Sequence, residues 1–149
     1  MATSRQLIIS AIMGRLEGYA WQTVAPADFV LGAADSAKVN FPVVQLMPGQ
    51  ESVVRQGYGS DRQMSLAFTA SVYVSLDQMT KAADEIMEYA FEELKTCLFA
   101  TPLTVTEDGA VFYLSLMYEQ GSVGYDYETG PGFAEASVAF TVNPNIYFP

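Results

Sequence analysis

The chain offers few side chains that could act as a nucleophile, a base or a metal ligand. It has one cysteine, Cys97, and no histidine among its 149 residues. This excludes an internal disulfide, Ser-His triads, His-activated thiols and His-containing metal sites. Cys97 stands near the end of an apolar helical pattern with no base close to it in sequence, so we interpret it as a packing residue.

Carboxylates are the next candidates for chemistry. Glu85, Glu88 and Glu92 have the spacing of one helical face and imitate a catalytic carboxylate set. Acid–base catalysis at neutral pH requires that one carboxyl be desolvated, because burial raises its pKa. Acidic side chains are rarely buried. The pattern therefore favours a solvated helix face.

Two loop motifs resemble ligand-binding sequences without completing them. Gly57-Tyr58-Gly59 begins like a dinucleotide fingerprint, but Arg62 occupies the place of the third glycine. Asp126 and Glu128 resemble the start of a calcium loop, but the closing acid would fall at Ser137. We predict no catalytic residue, no metal and no cofactor, and hence a protein that is not an enzyme.

A polar segment, Gln50 to Gln63, contains residue types that are common at protein interfaces. They are Arg55, Tyr58, Asp61 and Arg62. Exposed loops without a partner often have the same composition. An interface and an idle loop both remain open for this segment.

The element that dominates the pattern is a strand from Met64 to Leu76. Its even-numbered positions are apolar, as expected where one face of a strand is buried. The other face carries no charge, although a solvent-facing strand usually includes Lys or Glu. The residues of this face are Ser65, Ala67, Thr69, Ser71, Tyr73 and Ser75. The pattern indicates that both faces are covered.

Two helices are predicted. A period of three to four residues indicates an amphipathic helix over Gln78 to Leu98, with Asp77 as its N-cap. An N-terminal helix begins with the capping-box spacing of Thr3 and Gln6 and ends at Gly18.

Short strands complete the predicted domain. They cover Phe41 to Met47, Leu103 to Thr106, Val111 to Glu119 and Phe133 to Val142, with a hairpin turn at Asp108-Gly109. The fold class is α+β: an antiparallel sheet, mixed at most, of about five strands with two helices on one face. Residues 1–149 form one domain, with projecting loops near 50–63 and 121–132.

Net charge and hydropathy limit the partners. Seventeen acidic and seven basic residues give a charge of −10. This charge argues against a protein that binds nucleic acid by neutralising its phosphates. Because no apolar run approaches the length of a membrane span, we expect no membrane insertion.

The order of these elements resembles the tail terminator proteins of long-tailed bacteriophages, also called tail completion or minor tail proteins. The resemblance includes the N-terminal helix, the strand start Phe41-Pro42-Val43-Val44, the polar loop, and the strand-to-helix join from Ser71 to Ala90. It implies a structural virion protein that forms a homohexameric ring on the tail tube, stops tube growth, and presents a surface to the head-tail connector or neck protein. It also implies assembly in the host cytoplasm, a place at the neck end of the tail, and DNA that passes through without specific binding.

Candidate contact residues follow by inference from this resemblance. We expect subunit or partner contacts at Arg55, Tyr58, Arg62, Ser65, Thr69, Ser71 and Tyr73. We expect a pore or partner loop at Tyr125, Asp126, Tyr127 and Glu128. The acidity suits a channel that repels DNA.

Three other functions remain open. A neck adaptor or a tail tube subunit would occupy the same particle. A ligand- or peptide-binding module would use Tyr113, Tyr118, Tyr125 and Tyr127 as a pocket.

Overall fold

The computed structural model describes residues 4–32, 40–56, 62–75, 83–107, 109–126 and 132–142. The described residues form two helices and seven strands. In chain order these are α1 (Ser4–Gly18), β1 (Asp28–Leu31), β2 (Val43–Gln56), β3 (Arg62–Ser75), α2 (Ala83–Phe99), β4 (Leu103–Glu107), β5 (Ala110–Leu114), β6 (Leu116–Asp126) and β7 (Phe133–Val142). Thr3 and Asp77, the predicted caps, lie outside the described residues. None of the described helices is long and apolar enough to cross a membrane.

Five strands form one mixed sheet in the order β1-β2-β3-β7-β6. Only β1 runs parallel to its neighbour, and the other pairs are antiparallel. β4 and β5 form a separate two-stranded sheet, with Gly109 at a φ of 80° in the turn that the Asp-Gly pair predicted. The predicted α+β class is confirmed.

The core lies between the large sheet and the two helices. The even-numbered side chains of β3 from Leu66 to Val74 are buried there, as the alternation predicted, and so are those of β7. The apolar stripes of the helices complete the core with Ile8, Ile12 and Leu16 from α1 and Met87, Ala90, Leu94 and Leu98 from α2. Each leucine, isoleucine or methionine among them stabilises the fold by about 1.5–3 kcal/mol when fully buried.

Three predicted boundaries are wrong. The supposed loop at 50–63 is largely strand, because β2 continues past Pro48 through a register shift before Glu51, where an irregular strand tolerates proline. The supposed loop at 121–132 is strand as far as Asp126. The single strand predicted from Val111 to Glu119 is broken at Ser115, and its halves belong to different sheets.

Candidate interaction surface

The large sheet has one face packed on the helices and one face turned away from them. We call the latter the outer face. On β3 it consists of the uncharged odd-numbered residues, among which Ser65, Thr69 and Tyr73 are partly exposed. Ser71 is only 2% exposed. Within the described residues, both helices lie on the opposite side, in contact with the core residues.

Strand register extends the outer face across neighbouring strands. Gln45 on β2 and Ser137 on β7 flank Ser71. Met47 pairs with Thr69, and Met117 pairs with Thr141. These methionines are 36% and 47% exposed. The outer face therefore combines hydroxyl and amide groups with exposed apolar side chains, the mixture found at protein interfaces.

A hydrogen-bonded cluster lies towards one end of this face. The Tyr73 hydroxyl donates to Glu135 Oε1 over 3.1 Å. Ser71 Oγ lies 3.3 Å from the same oxygen and 3.2 Å from Ser137 Oγ. Burial and the nearby charge of Glu135 raise the pKa of Tyr73 above its usual value. We call Gln45, Ser71, Tyr73, Glu135 and Ser137 the Glu135 cluster.

Glu135 is a carboxylate that the sequence reasoning missed. It pairs with Tyr73 across β3 and β7. Within the described part of the chain, no lysine or arginine forms an ion pair with it. A negative charge also occurs at Glu119, whose carboxylate accepts a hydrogen bond of 3.1 Å from Thr141. The period-two pattern of β7 is a signal that could have placed Glu135 on the same face as Ser137, but its nearness to Tyr73 depends on strand register.

The other end of β2 and β3 is a two-stranded arm. β1 pairs with β2 only as far as Leu46, and β7 pairs with β3 only from Leu66 onwards. Residues 52–56 and 62–65 therefore pair only with each other among the described residues, and we call them the β2–β3 arm. Arg55 is opposite Gln63 and Gln56 is opposite Arg62, so the two arginines occupy neighbouring positions on the arm. Tyr58 lies outside the described residues.

The predicted pore residues are only partly described. Tyr125 is partly buried and packs against the core. Asp126 ends β6 opposite Phe133. Tyr127 and Glu128 lie outside the described residues. The structure brings the side chains of Ser71 and Tyr73 together on Glu135, whereas the backbones of Arg55 and Arg62 belong to the arm at the opposite end of the strand pair.

Cys97 is a packing residue, as predicted. It is buried at the contact between the helices, with Sγ 3.7 Å from the carbonyl oxygen of Arg15. Burial raises the pKa of the thiol to about 11. Glu85 and Glu88 are exposed, and Glu92 forms an ion pair of 2.8 Å with Lys95. The described residues contain no cluster of three or more potential metal ligands.

The tyrosines proposed as a ligand pocket belong to different parts of the fold. Tyr113 is exposed on the two-stranded sheet. Tyr118 lies on the large sheet, edge-to-face with Phe99 at 5.7 Å. Lys95 Nζ lies 5.9 Å from the Tyr118 ring centroid. Tyr118 of β6 therefore packs against side chains of α2.

Comparison with solved structures identifies proteins of the same fold. One is a chain of the structure described as "Virion of native gene transfer agent (GTA) particle", with a TM-score of 0.58, 12% identity, and 93% of each chain covered. The fold occurs in a virion particle. A second solved structure has a TM-score of 0.52 and 15% identity, and the match covers 99% of this chain and 100% of that one. No family model and no curated protein matches the sequence.

Proposed function

We propose that this protein is a virion structural protein that forms a ring on the end of a phage-type tail tube, ends tube growth and offers the attachment surface for the head-side connector. The observation that carries the proposal is the fold shared with a chain of the gene transfer agent particle over 93% of both chains. The ring and its place at the neck of the tail come from the resemblance to tail terminators.

The outer face of the sheet supports assembly. A sheet that is covered on one side in the isolated chain can bury its second side against another subunit. Here that second side exposes Met47 and Met117 beside the uncharged residues of β3. The charged residues that strand register and side-chain contacts place on it include Asp28, Glu119 and Glu135. Depletion of charge is typical of interface cores.

The net charge supports a passage for DNA. Each copy contributes −10. A hexamer would carry about 60 negative charges, which repel the DNA backbone and limit its adhesion to the wall of a channel. In this function the chain acts without catalysis.

Negative-stain microscopy and native mass spectrometry of the purified chain test the proposal. We expect closed rings of uniform mass that bind one end of isolated tail tubes. Long tubes formed by the chain alone would favour a tube subunit. Rings that bind connectors but not tube ends would favour a neck adaptor. A strict monomer at high concentration that also fails to bind tubes would contradict all three functions.

A further inference from the structure

We propose that the exposed face of the β4–β5 hairpin in one copy packs on the outer face of the next copy, between Met47 and Met117. This inference rests on the proposed function and names the contact that joins the subunits of the ring. The occupant of the outer face is thus a second copy of this chain. The charge, the shape and the placement of the two surfaces support it.

The β4–β5 hairpin has one buried face and one exposed face. Leu103, Val105 and Leu114 are buried in the core. The exposed side chains on the other face are uncharged, and we call them the hairpin face: Thr104, Thr106, Val111 and Tyr113. Val111 is 50% exposed and Tyr113 is 67% exposed. A surface without charge that carries an exposed tyrosine has the composition of an interface core.

The outer face of the large sheet offers a matching depression. Met47 and Met117 lie on β2 and β6, two strands that are three strand spacings, or about 14 Å, apart. The outer-face residues between them on β3 and β7 are small: Ala67, Thr69, Ala139 and Thr141. We call these six residues the methionine trough. Its width suits the side chains of a two-stranded hairpin, whose strands are about 5 Å apart.

Charge favours contact between these two surfaces. Each copy carries −10, so copies approach most easily where the facing side chains are uncharged, as on the hairpin face and in the methionine trough. Glu119, beside the trough, accepts a hydrogen bond from Thr141. The Tyr113 hydroxyl can donate to this carboxylate, as Tyr73 donates to Glu135. Methionine sulfur also makes favourable contacts with aromatic rings.

The hairpin face and the methionine trough face away from each other. Leu103 and Val105, on the buried side of the hairpin, belong to the same core as Leu66 and Phe68, on the buried side of β3. The two surfaces therefore lie on opposite sides of that core and cannot meet within one copy. A contact between two different surfaces of identical chains is heterologous, and it forms a ring when the rotation between subunits closes.

Cross-linking of cysteine variants tests the contact in the full chain. Tyr113→Cys and Met47→Cys are each made in a Cys97→Ala background, which leaves one thiol per chain. In an equal mixture of the two variants, a short bismaleimide should link one chain to the other, whereas either variant alone should give little product. Tyr89→Cys, on the exposed side of α2, replaces Tyr113→Cys as the control and should link weakly to Met47→Cys.

A carboxylate placed on either surface should weaken association. Val111→Asp and Thr69→Asp, each alone, add a charge that the contact would bury without a partner. We expect the concentration for half-assembly to rise by about tenfold or more, measured by mass photometry. Tyr89→Asp makes the same charge change on α2 and should assemble like the natural chain. Circular dichroism checks the fold of each variant.

The outcomes distinguish this contact from the ring function. If the natural chain forms rings but the mixed cysteine variants link no better than the control, the hairpin contact is overturned and the ring function stands. Unchanged assembly of both folded aspartate variants would have the same meaning. Where an aspartate variant does not fold, the cross-linking yield decides. A natural chain that is always monomeric and binds no tubes would overturn both proposals.

Discussion

The Glu93 carboxylate accepts the backbone N–H of Thr23, with Oε2 2.8 Å from the nitrogen. Its other oxygen, Oε1, accepts the N–H of Gln22 over 2.6 Å. One side chain of α2 therefore satisfies two consecutive backbone donors in the segment that leads from α1 to β1. This fixes the path of a connection that has no regular secondary structure of its own.

Replacement of Glu93 should destabilise the protein. Glu93→Ala leaves two backbone N–H groups without their acceptor, and we expect a loss of about 1–3 kcal/mol in the free energy of unfolding. Urea denaturation measures it. Glu88→Ala, on the exposed side of the same helix, is the matched control and should change stability by less than about 0.5 kcal/mol. Equal effects of the two substitutions would contradict the role assigned to Glu93.

At Gly121 of β6, the ring of Phe91 from α2 occupies the space beside the backbone. A Cβ at this position would overlap the ring of Phe91 and lie 2.8 Å from the Tyr118 hydroxyl. Gly121→Ala should therefore force the Phe91 ring aside and cost about 1–3 kcal/mol. Gly124→Ala, on the same strand with open space around it, is the control and should be nearly neutral. Thermal unfolding compares the two, and similar melting temperatures would refute the close packing.

Cys97 should make stability fall at alkaline pH. Its pKa is raised to about 11 in the folded chain from a usual value of 9.0. The unfolded chain loses the thiol proton first as pH rises. The contribution of the buried, protonated thiol to the free energy of unfolding is therefore complete below about pH 9 and is lost between about pH 9 and 11. The stability difference between the natural chain and Cys97→Ala should narrow over that interval, and a difference independent of pH would contradict the burial.

The assembled ring should depend on ionic strength. With a charge of −10 on each copy, repulsion between subunits opposes association. Salt shortens the range of this repulsion to about 8 Å at 0.15 M. We expect the concentration for half-assembly to fall as sodium chloride rises from about 10 to 150 mM, and light scattering follows it. If assembly were as strong at about 10 mM as at 150 mM sodium chloride, repulsion between subunits would not oppose it, and the charges would have to lie far from the subunit contacts.

Local periodicity was sufficient to predict the central elements. The two faces of β3 and the apolar stripe of α2 depend on spacings of two to four residues, and the structure confirms both. The start of α2 was predicted at Gln78, whereas the described helix begins at Ala83. Residues 76–82 lie outside the described residues.

Features that depend on distant pairing were not predictable in this way. β1 has four residues, and its strand conformation requires β2 as a parallel partner. The break at Ser115 reflects the assignment of β5 to β4 and of β6 to β7. The Glu135 cluster depends on the register of three strands, since Ser71 and Glu135 are 64 residues apart in sequence. To predict that these residues are neighbours, one must know the strand order and the register of the sheet.

The position of β7 between β3 and β6 affects how the chain folds during synthesis. β2 and β3 are neighbours in sequence and can pair early. The other edge of β3 pairs with residues 133–142, which are synthesised later. Until then one row of backbone N–H and C=O groups on β3 has no strand partner, and such an open edge invites pairing with other nascent chains. The last described strand thus closes the sheet, and truncation before Phe133 should yield an aggregating product rather than a smaller soluble domain.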